Sequence, residues 1–266
     1  GLYNDYWLVL ERRLPGRLSE FVRDWMQADR HRSYKVASER NYKELYVAFK
    51  ELVRDRPVEN LFSELVGFSR PYMIARGLEG TDINELDQVI SDLDVIDASS
   101  AYSYLAELIS LWGTGGLSNA ALIDVLSASR TYLLRRRLFG LTAGENKFFP
   151  TLGAHLDELQ DSAQPGEALF TRLSSAEYAL RVPNDDEVRS HLRTINFYNL
   201  GKGRNFPRLL LSMIEGHLTK SRPVWNDSKL QLEHIMPQSL TKSWRDELGD
   251  SSEETHQELV NNIGNL

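Results

Sequence analysis

The sequence contains no cysteine in 266 residues. That excludes a disulfide framework and any thiolate metal centre, so a metal ion would have to be held by His, Asp, Glu or Asn. No apolar run approaches the roughly 20 residues that cross a bilayer, and no membrane partner is expected. There is no signal-peptide pattern, and GLYNDYW opens the chain in place of an initiator Met. Gly1 reads as an internal boundary, with further sequence expected before it. Tandem repeats, low-complexity segments and βαβ alternation are also missing. Nor is there an excess of positive charge. The formal net charge is −7, which argues against a nonspecific nucleic-acid coat protein. It leaves a DNA enzyme open, because the placement of basic residues matters more than their sum.

What remains is an ordinary globular composition, 41% hydrophobic and 26% charged, in a chain long enough to bury a sizeable core. Apolar residues recur at helical spacing almost throughout. In 41–55, Leu45, Phe49 and Leu52 form one stripe beside Tyr42, and Pro57 stops the helix. In 82–97 the stripe is Ile83, Leu86, Ile90, Leu93 and Ile96, with acidic residues opposite. The segment SSAYSYLAELISLW ends on a Gly-rich stop at 113–116, and 118–140 runs from a Ser cap to Gly140. Only 230–236 reads as a strand, alternating Leu230 and Leu232 before Ile235-Met236 and Pro237. The expected fold is therefore mainly α. A helical bundle-like domain over 1–222 is followed by a short α/β piece over 223–266.

The chemistry-bearing stretch is LQLEHIMPQSL, residues 230–240. A neutral imidazole takes a proton from water near neutral pH, and a neighbouring carboxylate binds a divalent cation or orients the ring. Adjacent side chains of a regular strand point to opposite faces. Glu233 and His234 converge only where the strand ends or twists, and Pro237 supplies such an ending. The plainer alternative is a half-buried strand with an exposed Glu and a hydrogen-bonded His.

Beyond these residues come Trp244, His256 and the terminal Gly264-Asn265-Leu266. The order Glu-His-Ile-Met-Pro-Gln, Trp, His, Gly-Asn-Leu resembles the HNH nuclease domain of GmrSD-type, modification-dependent restriction endonucleases. Upstream, KELYVAFKEL and SRTYLLRRRLFGLTAGENKFF resemble the helical region joining the two halves of such proteins. LLLSMIEGHL stands where the family has a helix before its nuclease strand. The resemblance implies a ββα-metal finger, truncated in this sequence, with His234 as general base, Glu233 as an acidic metal ligand, and Asn265 as the Asn that braces the finger. It also implies a divalent cation (Mg²⁺ or Mn²⁺) and a nucleotide-hydrolysing domain not contained in these residues. DNA, modified or from phage, would be the partner, in a bacterial cytoplasm; homo-oligomerisation stays open. The family's last His or Asn would lie after Leu266, so these residues alone are expected to bind a cation poorly and to be inactive. The rival expectation is a helical interaction or regulatory module without catalysis.

Other clusters carry less. His256 stands among Glu253, Glu254 and Glu258 and reads as a solvated helical histidine. Arg135, Arg136 and Arg137 form the strongest basic run. Consecutive helical residues point about 100° apart, so structural pairing with acidic helices is favoured over contact with a DNA backbone. Lys202 and Arg204 lie in GKGRNFPR, which lacks the spacing of a phosphate-binding loop and reads as a turn. They are the remaining candidates for DNA-backbone contact.

Overall fold

The computed structural model describes residues 1–28, 42–176, 178–201, 205–223 and 229–266. These divide into two compact units. The larger, helical unit comprises Gly1–Leu133 and Thr142–Arg181, and the C-terminal unit comprises Leu134–Leu141 and Val182–Leu266.

The helical unit begins with a π-helical turn at Tyr3–Trp7 that runs into α1 (Leu8–Arg13), followed by α2 (Leu18–Gln27) and α3 (Tyr42–Asp55). Then come α4 (Val58–Ala75), α5 (Asn84–Val95) and α6 (Tyr102–Gly113). The helix α7 (Asn119–Leu138) contributes residues to both units. The helical unit is completed by α8 (Glu145–Leu152), α9 (Leu156–Gln160) and α10 (Pro165–Ser174).

Packing centres on α4 against α6, with α1 and α2 on α4 and α8 on α6. Every residue of α6 from Tyr102 to Ile109 is buried. This explains a segment that is apolar on nearly all sides, since a helix with no solvated face has no place for a polar stripe. Aromatic rings fill the space between helices. Phe21 meets Tyr72 edge-on with centroids 5.2 Å apart, and Tyr132 meets Phe149 in the same way at 6.0 Å. Leu86, Ile90, Leu93 and Ile96 are buried as the periodicity of 82–97 predicts.

Two buried aspartates of this unit are paired, as the cost of stranding a charge demands. Asp24 accepts from Arg23 Nε at 2.9 Å and from the Tyr72 hydroxyl at 2.9 Å. Burial and the adjacent Asp24 carboxylate push the Tyr72 phenol well up, so it remains a donor. The fully buried Asp92 accepts from Arg130 at 2.7 Å. One of the acidic residues assigned to the outer face of α5 is thus inside, neutralised by an arginine of α7.

The C-terminal unit holds α11 (Asp185–Thr194), α12 (Phe206–Thr219), α13 (Lys242–Leu248) and α14 (Ser252–Leu259), with α13 packed on α14. No strand occurs among the described residues, so the chain is mainly helical but the expected strand over 230–236 is not formed. The reason is local. A strand needs a partner presenting successive backbone groups, and Ile263–Asn265 instead closes into a 3₁₀ turn. One backbone bond remains between the two segments, from Ile235 N–H to Asn265 C=O at 2.9 Å.

Candidate functional site

Within the C-terminal unit, α11 starts from a complete capping box. Asn184 Oδ1 accepts the Glu187 amide at 2.9 Å, and the Glu187 carboxylate accepts the Asn184 amide at 2.8 Å. The short segment 134–141 is fastened to this helix. Arg135 donates to the Pro183 carbonyl at 3.1 Å and pairs with Asp185 at 2.6 Å. The hydrogen bond from Arg135, reinforced by its charge, holds the Asp185 carboxyl below the usual carboxylate range. That tether is therefore intact at neutral pH and weakens only as the pH falls through the acid range. At the other end of α11, His191 Nε2 meets the Leu138 carbonyl at 2.9 Å, and its ring stacks on Phe139 with centroids 4.2 Å apart.

The chain leaving α11 reaches the turn that follows α14. The carbonyl of Asn261 accepts the amides of Phe197 at 2.8 Å and Tyr198 at 3.1 Å. Asn262 donates its side-chain amide to the carbonyls of Leu192 and Arg193, and its Oδ1 accepts the Gly264 amide at 3.0 Å. Neighbouring asparagines thus anchor the last residues to the end of α11 and to the 196–198 loop.

His234 sits against this anchor, half-buried. Its Nε2 lies 3.4 Å from Asn261 Oδ1, and its ring packs on Tyr198 with centroids 4.5 Å apart and planes inclined at 57°. Glu233 is exposed next to it. The following residues are held by Asn265, whose side chain is buried. Its Oδ1 accepts the Met236 amide at 2.7 Å, while Nδ2 donates to the Met236 carbonyl at 2.9 Å and to Val260 C=O at 2.8 Å. His256 braces the same segment one residue on, with Nε2 2.9 Å from the Pro237 carbonyl. Since a carbonyl only accepts, this nitrogen carries the proton.

The structure therefore brings His234 and Asn265 into one assembly, with Asn265 acting on the backbone at Met236 and not on the imidazole. Asn261 and Tyr198, which touch His234 directly, are additions to the residues picked out from sequence. The available signal for the first was the repetition of asparagine in VNNIGNL, at 261, 262 and 265; nothing local marked the second. His256 corrects its expectation. It is half-buried and structural, because the carbonyl of Pro237, freed from any ladder, needs a donor. The three arginines of the basic run are each engaged within the protein. Arg136 is fully buried, Arg135 is committed to Asp185 and Pro183, and Arg137 donates to the Leu141 carbonyl at 3.0 Å. The favoured alternative, pairing with an acidic helix, describes Arg135. Lys202 and Arg204 lie outside the described residues.

The donor set for a cation can be tested directly. Among the described residues no three His, Asp or Glu side chains converge on one point. Glu233 by itself does not make a site, since divalent cations need several converging ligands. The residues on hand thus do not fit a complete metal centre. No described helix is long and apolar enough to cross a membrane.

Comparison with known proteins places this geometry in context. Residues 182–266 match the family described as GmrSD restriction endonucleases, C-terminal domain. The matched stretch starts at the residue where the second segment of the C-terminal unit starts. The resemblance read from Glu-His-Ile-Met-Pro-Gln and Gly-Asn-Leu thus holds for that segment. No curated protein and no solved structure matches the chain.

Proposed function

We propose, from the GmrSD-type C-terminal domain over 182–266, that this chain is part of an HNH-type endonuclease that hydrolyses DNA phosphodiesters, with His234 as general base. The observation that carries the reading is the way the fold treats His234. The backbone after it is fixed at Ile235 and Met236 by Asn265, and its ring is fixed by Tyr198 and Asn261. A histidine that only filled space would not need four polar and aromatic contacts around an otherwise irregular segment.

In this reading the neutral imidazole takes a proton from water. The oxygen forms a new P–O bond as the P–O bond to the leaving sugar oxygen breaks, and that oxygen is protonated in turn. The family resemblance brings with it a divalent cation, Mg²⁺ or Mn²⁺, coupling to nucleotide hydrolysis, and modified DNA as substrate. The described residues offer only Glu233 toward a cation, so no step is routed through one. Asn265 is a positioning residue in this scheme, because it acts through the Met236 backbone.

The test compares His234→Ala with His256→Ala in the protein as it occurs in the cell, on one modified DNA substrate, with thermal melts alongside. Loss of a positioned base lowers the cleavage rate by about 10² to 10⁴-fold, and His234→Ala is expected to do so with little change in melting temperature. His256→Ala strands the Pro237 carbonyl, so it is expected to lower the melting temperature first. Wild-type cleavage by His234→Ala would remove the nuclease reading of this site.

A further inference from the structure

We infer that Asn261 is a positioning residue for His234: its side-chain oxygen fixes the imidazole as the Nε2–H tautomer and so reserves the Nδ1 lone pair for the proton taken from water. The inference rests on the nuclease reading of His234 and goes beyond it by assigning the base to one ring nitrogen and the tautomer to one residue.

Three observations support it. First, the atom facing Nε2 is Oδ1 of Asn261, which has lone pairs and no proton to give, so a hydrogen bond between the two has the ring nitrogen as donor. At 3.4 Å the contact is long, as hydrogen bonds at catalytic groups are before substrate closes them. Second, Asn261 cannot drift. Its own carbonyl receives the Phe197 and Tyr198 amides, and the next residue is tied to α11. The same loop delivers the Tyr198 ring to the imidazole, which limits the rotation that would exchange the two ring nitrogens. Third, these anchoring bonds use the backbone of Asn261, so its side chain is left to act on His234. A residue present only to pack the turn would not need a polar side chain aimed at the ring.

A neutral imidazole has one donor nitrogen and one acceptor nitrogen, and the partner of the donor decides which is which. Oriented this way, the ring transfers a proton at one defined atom. Without Oδ1 it divides between two tautomers and turns more freely, and a fraction of molecules presents N–H to the water that needs a base.

The experiment reads tautomer and rate separately. In protein with ¹⁵N-labelled histidine, the His234 resonances of wild type should show a protonated Nε2 and a lone-pair Nδ1. Asn261→Leu should give a mixture and lose the exchange-protected Nε2–H signal. Asn261→Asp, which keeps an oxygen at the same place, should restore the wild-type pattern. On the modified DNA substrate, Asn261→Leu should lower kcat by about ten- to a hundred-fold, the range for groups that orient a reacting ligand from behind. KM should stay unchanged, and Asn261→Asp should recover most of the rate. A dominant Nδ1–H tautomer in wild type overturns the inference, and so does an unchanged tautomer in Asn261→Leu. Wild-type kcat in Asn261→Leu, with His234→Ala inactive, overturns it while leaving the nuclease reading standing. Full cleavage by His234→Ala overturns both. If Asn261→Leu does not fold, the tautomer of wild type and of Asn261→Asp decides the matter by the same criteria.

Discussion

Asn265 offers one carbonyl oxygen and one NH₂ group, and each meets a partner that permits only one assignment. Met236 N–H can only donate, while the carbonyls of Met236 and Val260 can only accept, so the amide orientation is fixed by chemistry. Asn265→Leu keeps the volume and strands all three groups, which should cost at least about 1–3 kcal/mol of C-terminal-unit stability. Asn265→Asp makes a finer test. The carboxylate keeps the Met236 amide but faces two carbonyl oxygens, so the folded state favours its protonated form and raises its pKa above the unfolded value. Its stability relative to wild type should then be greatest in acid and fall as the pH rises through the carboxylate range. Thermal melts in mildly acid and neutral buffer check the sign, and a deficit that does not grow with pH would mean the amide donors matter little. At this scale the sequence singled out side chains whose chemistry is rare and local, as at His234. It was not legible for Asn261 and Tyr198, which lie 27 residues after and 36 residues before that histidine. Their roles arise only when α11 and the terminal turn meet.

Among the elements, helices with one apolar stripe were the easiest to read, because burial of one face leaves a 3.6-residue trace. The strand was misread because alternation over 230–236 describes side chains, while a strand depends on a neighbour's backbone. Helix ends tell a related story. The residue before α10, Gln164, makes no side-chain cap, and the helix begins with Pro165. Its first available amide, Gly166 N–H, is instead accepted by Asp124 Oδ2 of α7 at 2.7 Å. Asp124 therefore caps a helix 42 residues away, a relation no local signature could announce. Asp124→Ala should cost about 0.5–2 kcal/mol, the usual loss for a cap. Gly166→Ala should cost no more than the same cap, because an added Cβ would lie 2.4 Å from the Asp124 carboxyl group and turn that side chain away into solvent. Thermal unfolding of the two variants compares them, and an Ala at 166 that leaves the cap and the melting temperature of wild type would contradict the close approach.

For the whole molecule, the decisive feature is that the C-terminal unit is discontinuous. The matched family segment is 182–266, but the compact unit also needs Leu134–Leu141. Arg135 holds the start of α11, and Leu138 and Phe139 hold His191 nearer its end. A protein made of 182–266 alone leaves Asp185 and His191 of α11 without those partners and exposes that side of the helix to water. It should melt at lower temperature, with weaker amide protection in α11, than one in which 134–141 is joined to 182–266 by a short flexible linker. Equal melting temperatures and equal protection would show that the eight residues are dispensable. Composition and periodicity announced a change of character near Pro223, but a unit assembled from two separated stretches leaves no such trace, because each stretch reads as ordinary helix by itself.

That discontinuity has a consequence for how such chains can be inherited. An exchange between related genes with its crossover between codons 142 and 181 would join one parent's 134–141 to the other parent's α11. The stack of Phe139 on His191 and the pair of Arg135 with Asp185 would then have to be matched by chance. A crossover upstream of codon 134 passes both halves on together. Chimeras of the first kind should survive only when the parents agree at these four positions, so that residues outside the matched segment become a hereditary companion of the histidine-bearing turn.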